Sequence, residues 1–120
     1  MSSRSLVAAG AINAAIAVAA GAFAAHGLKD RIEAHALDVF ETGARYQMYH
    51  ALAMLLCAAL AVRGAVTAGW IFQAGIVVFS GSLYALALSD VKILGAITPI
   101  GGIAFLAGWA YLAYGALRSA

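Results

Sequence analysis

The stretch Leu6–Ala25, LVAAGAINAAIAVAAGAFAA, decides the fold class of this 120-residue chain. It carries no charged side chain, and Asn13 is its one strongly polar residue. An α-helix of this length, at about 1.5 Å per residue, covers the hydrocarbon thickness of a bilayer, about 30 Å. The stretch therefore predicts a membrane-spanning helix.

Three further apolar runs of similar length follow, and they predict spans at 43–62, 68–88 and 99–117. The composition agrees, because 65% of the residues are hydrophobic and 10% charged, against roughly 45–50% and 25% in soluble proteins. We therefore predict an all-α integral membrane four-helix bundle, with residues 1–120 as a single transmembrane domain in contact with the lipid bilayer.

The segment 28–42, between the first two spans, has an amphipathic pattern. Its apolar side chains recur at helical spacing, and its acidic side chains fall on the other faces. This pattern predicts a short helix in the plane of the membrane interface. The apolar positions are Leu28, Ile32, Ala36, Val39 and Phe40.

The connection before the fourth span allows two interpretations. Thr98 followed by Pro99 is a typical helix start, since the missing proline N–H needs no partner in the first turn. In that case 93–97 is an interfacial or shallow re-entrant stretch. The alternative is a helix that runs from Ile93 and is kinked at Pro99.

The charged residues and the single cysteine exclude several classes of protein. The seven basic residues form no stripe, which argues against nucleic acid as a partner. Cys57 lies inside an apolar run without a second cysteine, so disulfides and thiolate metal sites are excluded. We predict neither a bound metal nor a cofactor.

An even number of crossings places both termini on the same side of the membrane. That side holds Arg4, Arg63 and Arg118 and no acid, whereas all five acids lie on the other. The difference in net charge favours cytoplasmic termini.

Helix contacts in lipid are marked by small residues and by polar groups that find partners. Such residues line one face of the first, third and fourth spans, which favours a compact bundle or contacts between copies of the chain. The predicted packing positions are Gly10, Asn13, Ala17, Gly21, Gln73, Ser80, Gly81, Tyr84, Gly101 and Gly108.

A polar cluster at the acidic side is the candidate functional site, because polar groups at membrane depth are costly and usually have a purpose. In one interpretation, His26 and His50 hold a haem, a metal or a quinone, or relay protons. In the other, the cluster ties the connecting loop to the bundle by hydrogen bonds. Its members are His26, Arg45, Tyr46, Gln47, Tyr49 and His50.

Several motifs together resemble a known family. The chain is similar to the small bacterial inner-membrane family catalogued as domain of unknown function 423, which has a mitochondrial transmembrane relative in animals. The resemblance covers nearly the whole chain and implies a four-helix protein of the bacterial inner membrane without an established activity. The motifs are GAFAAHGL (21–28), FETG (40–43), YQMYHAL (46–52), SGSLY (80–84), LGAITPIGG (94–102) and GW (108–109).

These observations favour a non-enzymatic accessory or structural membrane protein that associates with itself or with a larger membrane complex. The reason is that the chain has small-residue faces, almost no mass outside the membrane and no acid within a span. The alternatives are a haem-, metal- or quinone-binding module and a small oligomeric channel or exporter.

Overall fold

The structure, a computed structural model, describes residues 2–119, and this part of the chain is helical with no strand. A π-helical turn, Ala24–Leu28, follows the first helix directly. The all-α class with four long helices is confirmed. The helices are α1 (Ser3–Phe23), α2 (Ala34–Ala59), α3 (Ala65–Ser89) and α4 (Leu94–Arg118).

Three of these helices are long and apolar enough to cross a membrane, judged by length and composition. They are α1 with its π-helical turn, α3 and α4. Helix α2 has 26 residues, but Arg45, Gln47 and His50 make it too polar for this criterion. The second span, 43–62, therefore remains a prediction.

The separate interfacial helix predicted over 28–42 is not confirmed. Residues 34–42 form the first turns of α2 and continue without a break into its apolar half. A turn with Asp30 at φ 78° joins the π-helical turn to α2. The helix continues from the acidic segment into the apolar one because residues 34–42 contain no glycine or proline that would end it.

Helix α4 begins at Leu94 and contains Pro99, so the re-entrant interpretation of 93–97 is wrong and the helical one is right. The N–H groups of Leu94, Gly95 and Ala96 donate to the carbonyls three residues earlier, which forms a tight first turn. The Thr98 hydroxyl donates back to the Leu94 carbonyl at 3.2 Å instead of capping a new helix.

Helices α2 and α3 form a central pair, with α1 along α2 and α4 along α3. Each outer helix contacts mainly one helix of the central pair: α1 touches α3 at few positions, and α4 touches α2 at fewer still. The core lies at the junction, where Leu6, Met54, Cys57 and Phe72 are fully buried.

Three of the predicted packing glycines do allow close approach. A Cβ on Gly101 would lie 2.7 Å from Cα of Phe79. A Cβ on Gly108 would lie 2.6 Å from the Phe72 ring, and one on Gly10 would lie 3.1 Å from the Ala51 carbonyl oxygen. Gly101 and Gly108 therefore require a residue without a side chain, whereas a Cβ on Gly10 would need its neighbours to shift slightly.

Gly21 and Gly81 make no close contact within one copy of the chain, since a Cβ at either would meet no atom within 4 Å. Contacts between copies at these two positions stay a prediction. Gly81 lies beside a groove between α1 and α3, where the helices separate. Within one copy of the chain, Gly81 therefore marks open space. Ala17, by contrast, is buried as predicted.

Candidate functional site

The structure divides the predicted polar cluster among different faces of α2. Arg45 and Tyr49 are exposed on its outer face. Gln47 is buried and bonds toward α1 and α3, whereas His50 is buried against α4. The division follows from the helix itself, because adjacent residues point about 100° apart.

The sixth member of the cluster, His26, lies on the π-helical turn and is exposed. Tyr46 is partly exposed and stacks near Phe79 at a centroid distance of 4.9 Å. No hydrogen bond or ring contact joins His26 to His50 among residues 2–119. The two histidines are therefore not in direct contact: His26 is exposed on the π-helical turn, and His50 is buried against α4.

Gln47 belongs to a chain of hydrogen bonds that crosses three helices. The Tyr84 hydroxyl donates to Gln47 Oε1 at 2.7 Å, and Gln47 Nε2 donates to Asn13 Oδ1 at 3.0 Å. Asn13 Nδ2 in turn donates to Gln73 Oε1 at 2.7 Å and to the Ala9 carbonyl at 2.9 Å. We call Tyr84, Gln47, Asn13 and Gln73 the amide network, and it joins α1, α2 and α3.

The amide network borders a groove between α1 and α3 with a cavity volume of about 530 Å³. Asn13 and Gln47 are 6% and 4% exposed, so these two side chains are buried between the helices. The network reaches the groove along one edge. The groove exists because α1 packs mainly against α2 and contacts α3 at few positions. Its walls are predominantly apolar.

His50 is part of an aromatic cluster between α2 and α4. Its ring stacks on Phe105 with centroids 3.6 Å apart and planes 5° apart. Phe72 and Trp109 contact the same imidazole at centroid distances of 5.3 and 5.8 Å. We call His50, Phe72, Phe105, Trp109 and Tyr46 the aromatic cluster.

Hydrogen bonds fix the proton position on His50. The Trp109 indole N–H is only a donor, so Nε2 of His50, 3.1 Å away, must accept. Nδ1 then carries the proton and donates to the Tyr46 carbonyl at 2.8 Å. The imidazole is therefore neutral with both nitrogens engaged, and a metal would have to displace Trp109 to bind it.

Arg45 has little protein around it. Its guanidinium donates to the Thr42 hydroxyl at 3.1 Å, and this is its one hydrogen bond within residues 2–119. The arginine itself is exposed on the outer face of α2. Tyr49, one turn further along, is 53% exposed on the same face.

The acidic side carries one ion pair in the described part of the chain, between Lys92 and Asp90 at 2.7 Å. Both side chains are fully hydrated, so the pair contributes little to stability. The hydrogen bond that Lys92 donates to Asp90, together with the negative charge of Asp90, raises the pKa of Lys92. Across residues 2–119, no three histidine, cysteine or acidic side chains are placed to hold a metal ion.

Two further hydrogen bonds, made by three hydroxyl groups, connect helices. Ser80 Oγ donates to the Gly43 carbonyl at 2.7 Å, which fixes α3 against α2. Ser82 and Thr98 share a hydrogen bond of 2.6 Å between α3 and α4.

Sequence reasoning missed Phe105 and Trp109 as partners of His50. They lie four residues apart on α4, on the face that Gly101 and Gly108 place against α3. That spacing was available in the sequence, but it did not indicate which residue of α2 the two rings would meet.

Comparison with known proteins gives a consistent result. A family model described as "Protein of unknown function (DUF423)" matches residues 20–102. The chain is 49% identical over 114 residues to the UPF0382 membrane protein YwdK of Bacillus subtilis (strain 168), a match that covers 91% of this chain and 93% of the relative. It is 50% identical over 106 residues to a UPF0382 membrane protein of Staphylococcus aureus, with 86% and 87% covered. No solved structure is significantly similar.

Proposed function

The chain belongs to the DUF423 family of membrane proteins of unknown function, and we propose that it is a non-enzymatic accessory or structural component that associates with itself or with a larger membrane complex. It does so as a multi-pass protein of the bacterial inner membrane, with both termini on the cytoplasmic side. The contact surface is the outer face of α2 around Arg45 and Tyr49.

The observation that carries the proposal is the depth of Arg45. Gly43 is level with Ser80, whose hydroxyl reaches its carbonyl, and Ser80 lies nine residues, about 13 Å, before the end of α3 at Ser89. A helix of 25 residues exceeds the hydrocarbon thickness by only about 7 Å. With α3 spanning the bilayer, Arg45, half a turn deeper, would fall inside the hydrocarbon region.

An arginine at this depth is costly in lipid, by about 2.5–3.5 kcal/mol on insertion scales. Thr42 satisfies one of its five N–H donors. A partner that presents a carboxylate to the guanidinium would remove most of this cost through paired hydrogen bonds. The exposed ring of Tyr49 adds apolar contact area beside it.

The other polar groups within the helices support association over catalysis. The amide network uses its side chains to join α1, α2 and α3, and His50 has a protein partner at each ring nitrogen. This engagement also disfavours the haem, metal or quinone site with His26. A channel or exporter through an oligomer would be recognised by solute flux in liposomes above that of empty vesicles.

Site-specific photo-crosslinking in native membranes tests the proposal. Tyr49→p-benzoylphenylalanine should crosslink to one defined membrane protein, identified by mass spectrometry, or to a second copy. The same probe at Ile103, which is 66% exposed on α4, serves as the control and should label lipid only. Arg45→Gln should reduce the Tyr49 adduct at least fivefold, whereas Arg4→Gln should leave it unchanged. Equal labelling from both probe positions would contradict the proposal.

A further inference from the structure

The groove between α1 and α3 has the size and lining of a site for a lipid-soluble molecule. Its volume, about 530 Å³, lies within the range of about 300–1,000 Å³ typical of small-molecule pockets. Ile12 and Ile16 form one wall, and Ile76 and Val77 form the other. No charged side chain lines it, so a neutral and largely apolar occupant fits.

The amide network supplies a hydrogen-bond donor at the edge of this groove. Each bond in the network runs in the same direction, from Tyr84 through Gln47 and Asn13 to Gln73. The series ends at Nε2 of Gln73, which has no hydrogen-bond partner among residues 2–119. Gln73 itself lines the groove. An N–H donor left unpaired in hydrocarbon is costly, so an acceptor oxygen in the groove would be stabilised.

The position of Gln73 along α3 restricts which molecules can supply the acceptor oxygen. Gln73 lies eight residues, about 12 Å, after the start of α3 at Ala65. Its partner Asn13 is at the middle of α1. With α3 spanning the bilayer, the donor would lie inside the hydrocarbon region, below the ester carbonyls of phospholipids. The acceptor must be carried by an apolar molecule that enters the bilayer interior, and a ring ketone meets this requirement.

We propose that the groove between α1 and α3 binds a lipid-soluble quinone, with Nε2 of Gln73 donating to a ring carbonyl oxygen and the alkyl or prenyl chain lying between the isoleucine walls. The site is distinct from the aromatic cluster around His50. It involves binding alone, with no electron transfer. It also does not depend on the outer face of α2, so the two proposals can fail separately.

Binding is measured on the full chain in nanodiscs made from quinone-free phosphatidylcholine. A benzoquinone with a decyl chain is the probe, and quenching of tryptophan fluorescence is the signal, since Trp70 lies one turn before Gln73 on α3. We expect saturable binding of one probe per chain. Decylbenzene, which has the same tail and no carbonyl, should compete at least tenfold more weakly.

Two variants on α3 provide a matched pair. Gly81→Leu fills the groove, and it should fold normally because a Cβ there meets no atom within 4 Å. It should weaken quinone binding at least tenfold. Ala74→Leu adds the same side chain at an exposed position outside the groove, and binding should remain unchanged.

Gln73→Leu removes the donor and should weaken binding about fivefold, the usual effect of one hydrogen bond. Non-saturable quenching, equal affinity for decylbenzene, or equal binding by the Gly81→Leu and Ala74→Leu variants would each overturn the proposal. If Gly81→Leu instead abolished association with a second copy or another protein, with no quinone binding by the wild type, the groove would be a protein contact and the proposal would be wrong.

Discussion

The two outer helices are held to the central pair by different chemistry. Helix α1 is joined through the amide network, in which short polar side chains pass hydrogen bonds from α3 through α2 to α1 and back. Helix α4 is joined through the aromatic cluster, in which stacked rings fill the space between α2 and α4. Each arrangement borders a groove, of about 530 Å³ between α1 and α3 and of about 420 Å³ beside the rings of the aromatic cluster.

The difference shows two ways in which a helix can be held to a bundle in lipid. Dispersion between stacked rings grows with contact area, so the aromatic side gains stability by filling space. Hydrogen bonds act at single points and hold α1 without covering α3. We therefore expect substitutions on the aromatic side to cost more stability, and those on the amide side to act more on the groove.

The largest effect is expected for Phe105→Ala. This ring is 4% exposed and stacks on His50, so its removal leaves a cavity and should cost about 3 kcal/mol of unfolding free energy. Steric-trapping measurements in bicelles would determine this value. Leu106→Ala, at a neighbouring residue that is 70% exposed, is the control and should cost less than about 0.5 kcal/mol. Similar losses at both positions would contradict the packing account.

The next largest effect on the unfolding free energy is expected from substituting one of two adjacent glycines on α4. Gly101→Ala places a Cβ 2.7 Å from Cα of Phe79, and because the contact is with backbone it should cost about 2 kcal/mol. Gly102→Ala meets its nearest atom at 3.9 Å and should be neutral, or stabilising by up to about 1 kcal/mol through helix propensity. The same unfolding assay distinguishes them, and a Gly101→Ala variant as stable as Gly102→Ala would exclude close contact between α3 and α4.

On the amide side, Asn13→Leu should cost about 1–2 kcal/mol, because it leaves Gln47 Nε2 and Gln73 Oε1 without their partner. A double-mutant cycle of Asn13→Ala and Gln73→Ala should give a coupling energy of about 0.6–1.7 kcal/mol. Additive losses would mean that the hydrogen bond between α1 and α3 contributes nothing.

The smallest change is expected for Trp109→Phe, which keeps an aromatic ring, although a smaller one, and removes the indole donor to His50. We expect a loss of about 0.5–1.5 kcal/mol. Nitrogen-15 chemical shifts of the imidazole provide the sharper measurement. In the wild type they should report a neutral ring protonated at Nδ1, and in the variant a mixture of tautomers. A charged ring in the wild type at neutral pH would contradict the assigned hydrogen bonds.

The sequence was sufficient to predict the four helices, but not the residues at which α2 and α4 begin. Apolar stretches without charge located α1, α3 and most of α4, since length and hydropathy alone determine a span. The start of α2 was misjudged because Asp38 and Glu41 interrupt hydropathy without interrupting helical geometry. At α4, Thr98 and Pro99 suggested a helix start, but the helix begins earlier, at Leu94. Thr98 lies within it, and its hydroxyl bonds to Ser82 and to the Leu94 carbonyl.

The residues of the site were predictable as polar groups at depth, but their partners were not. Asn13 and Gln73 were both expected at helix contacts, yet nothing in a linear pattern states that their amides meet. His50 was paired with His26 on the basis of residue type, whereas the rotational position of α2 places it against Trp109. Such pairings depend on the relative rotation of helices, which is a property of the packed bundle.

The π-helical turn at Ala24–Leu28 has a consequence for chain length in this protein. Such a turn contains one residue more than an α-helical turn of the same rise, and here the Phe23 ring occupies the space where a Cβ of Gly27 would lie. Deleting one residue from it would return the segment to α-helical spacing and leave α1 unchanged. The same deletion within α1 would rotate Asn13 by about 100° relative to the residues that follow. Length variation should therefore be tolerated at this turn and rejected one turn earlier.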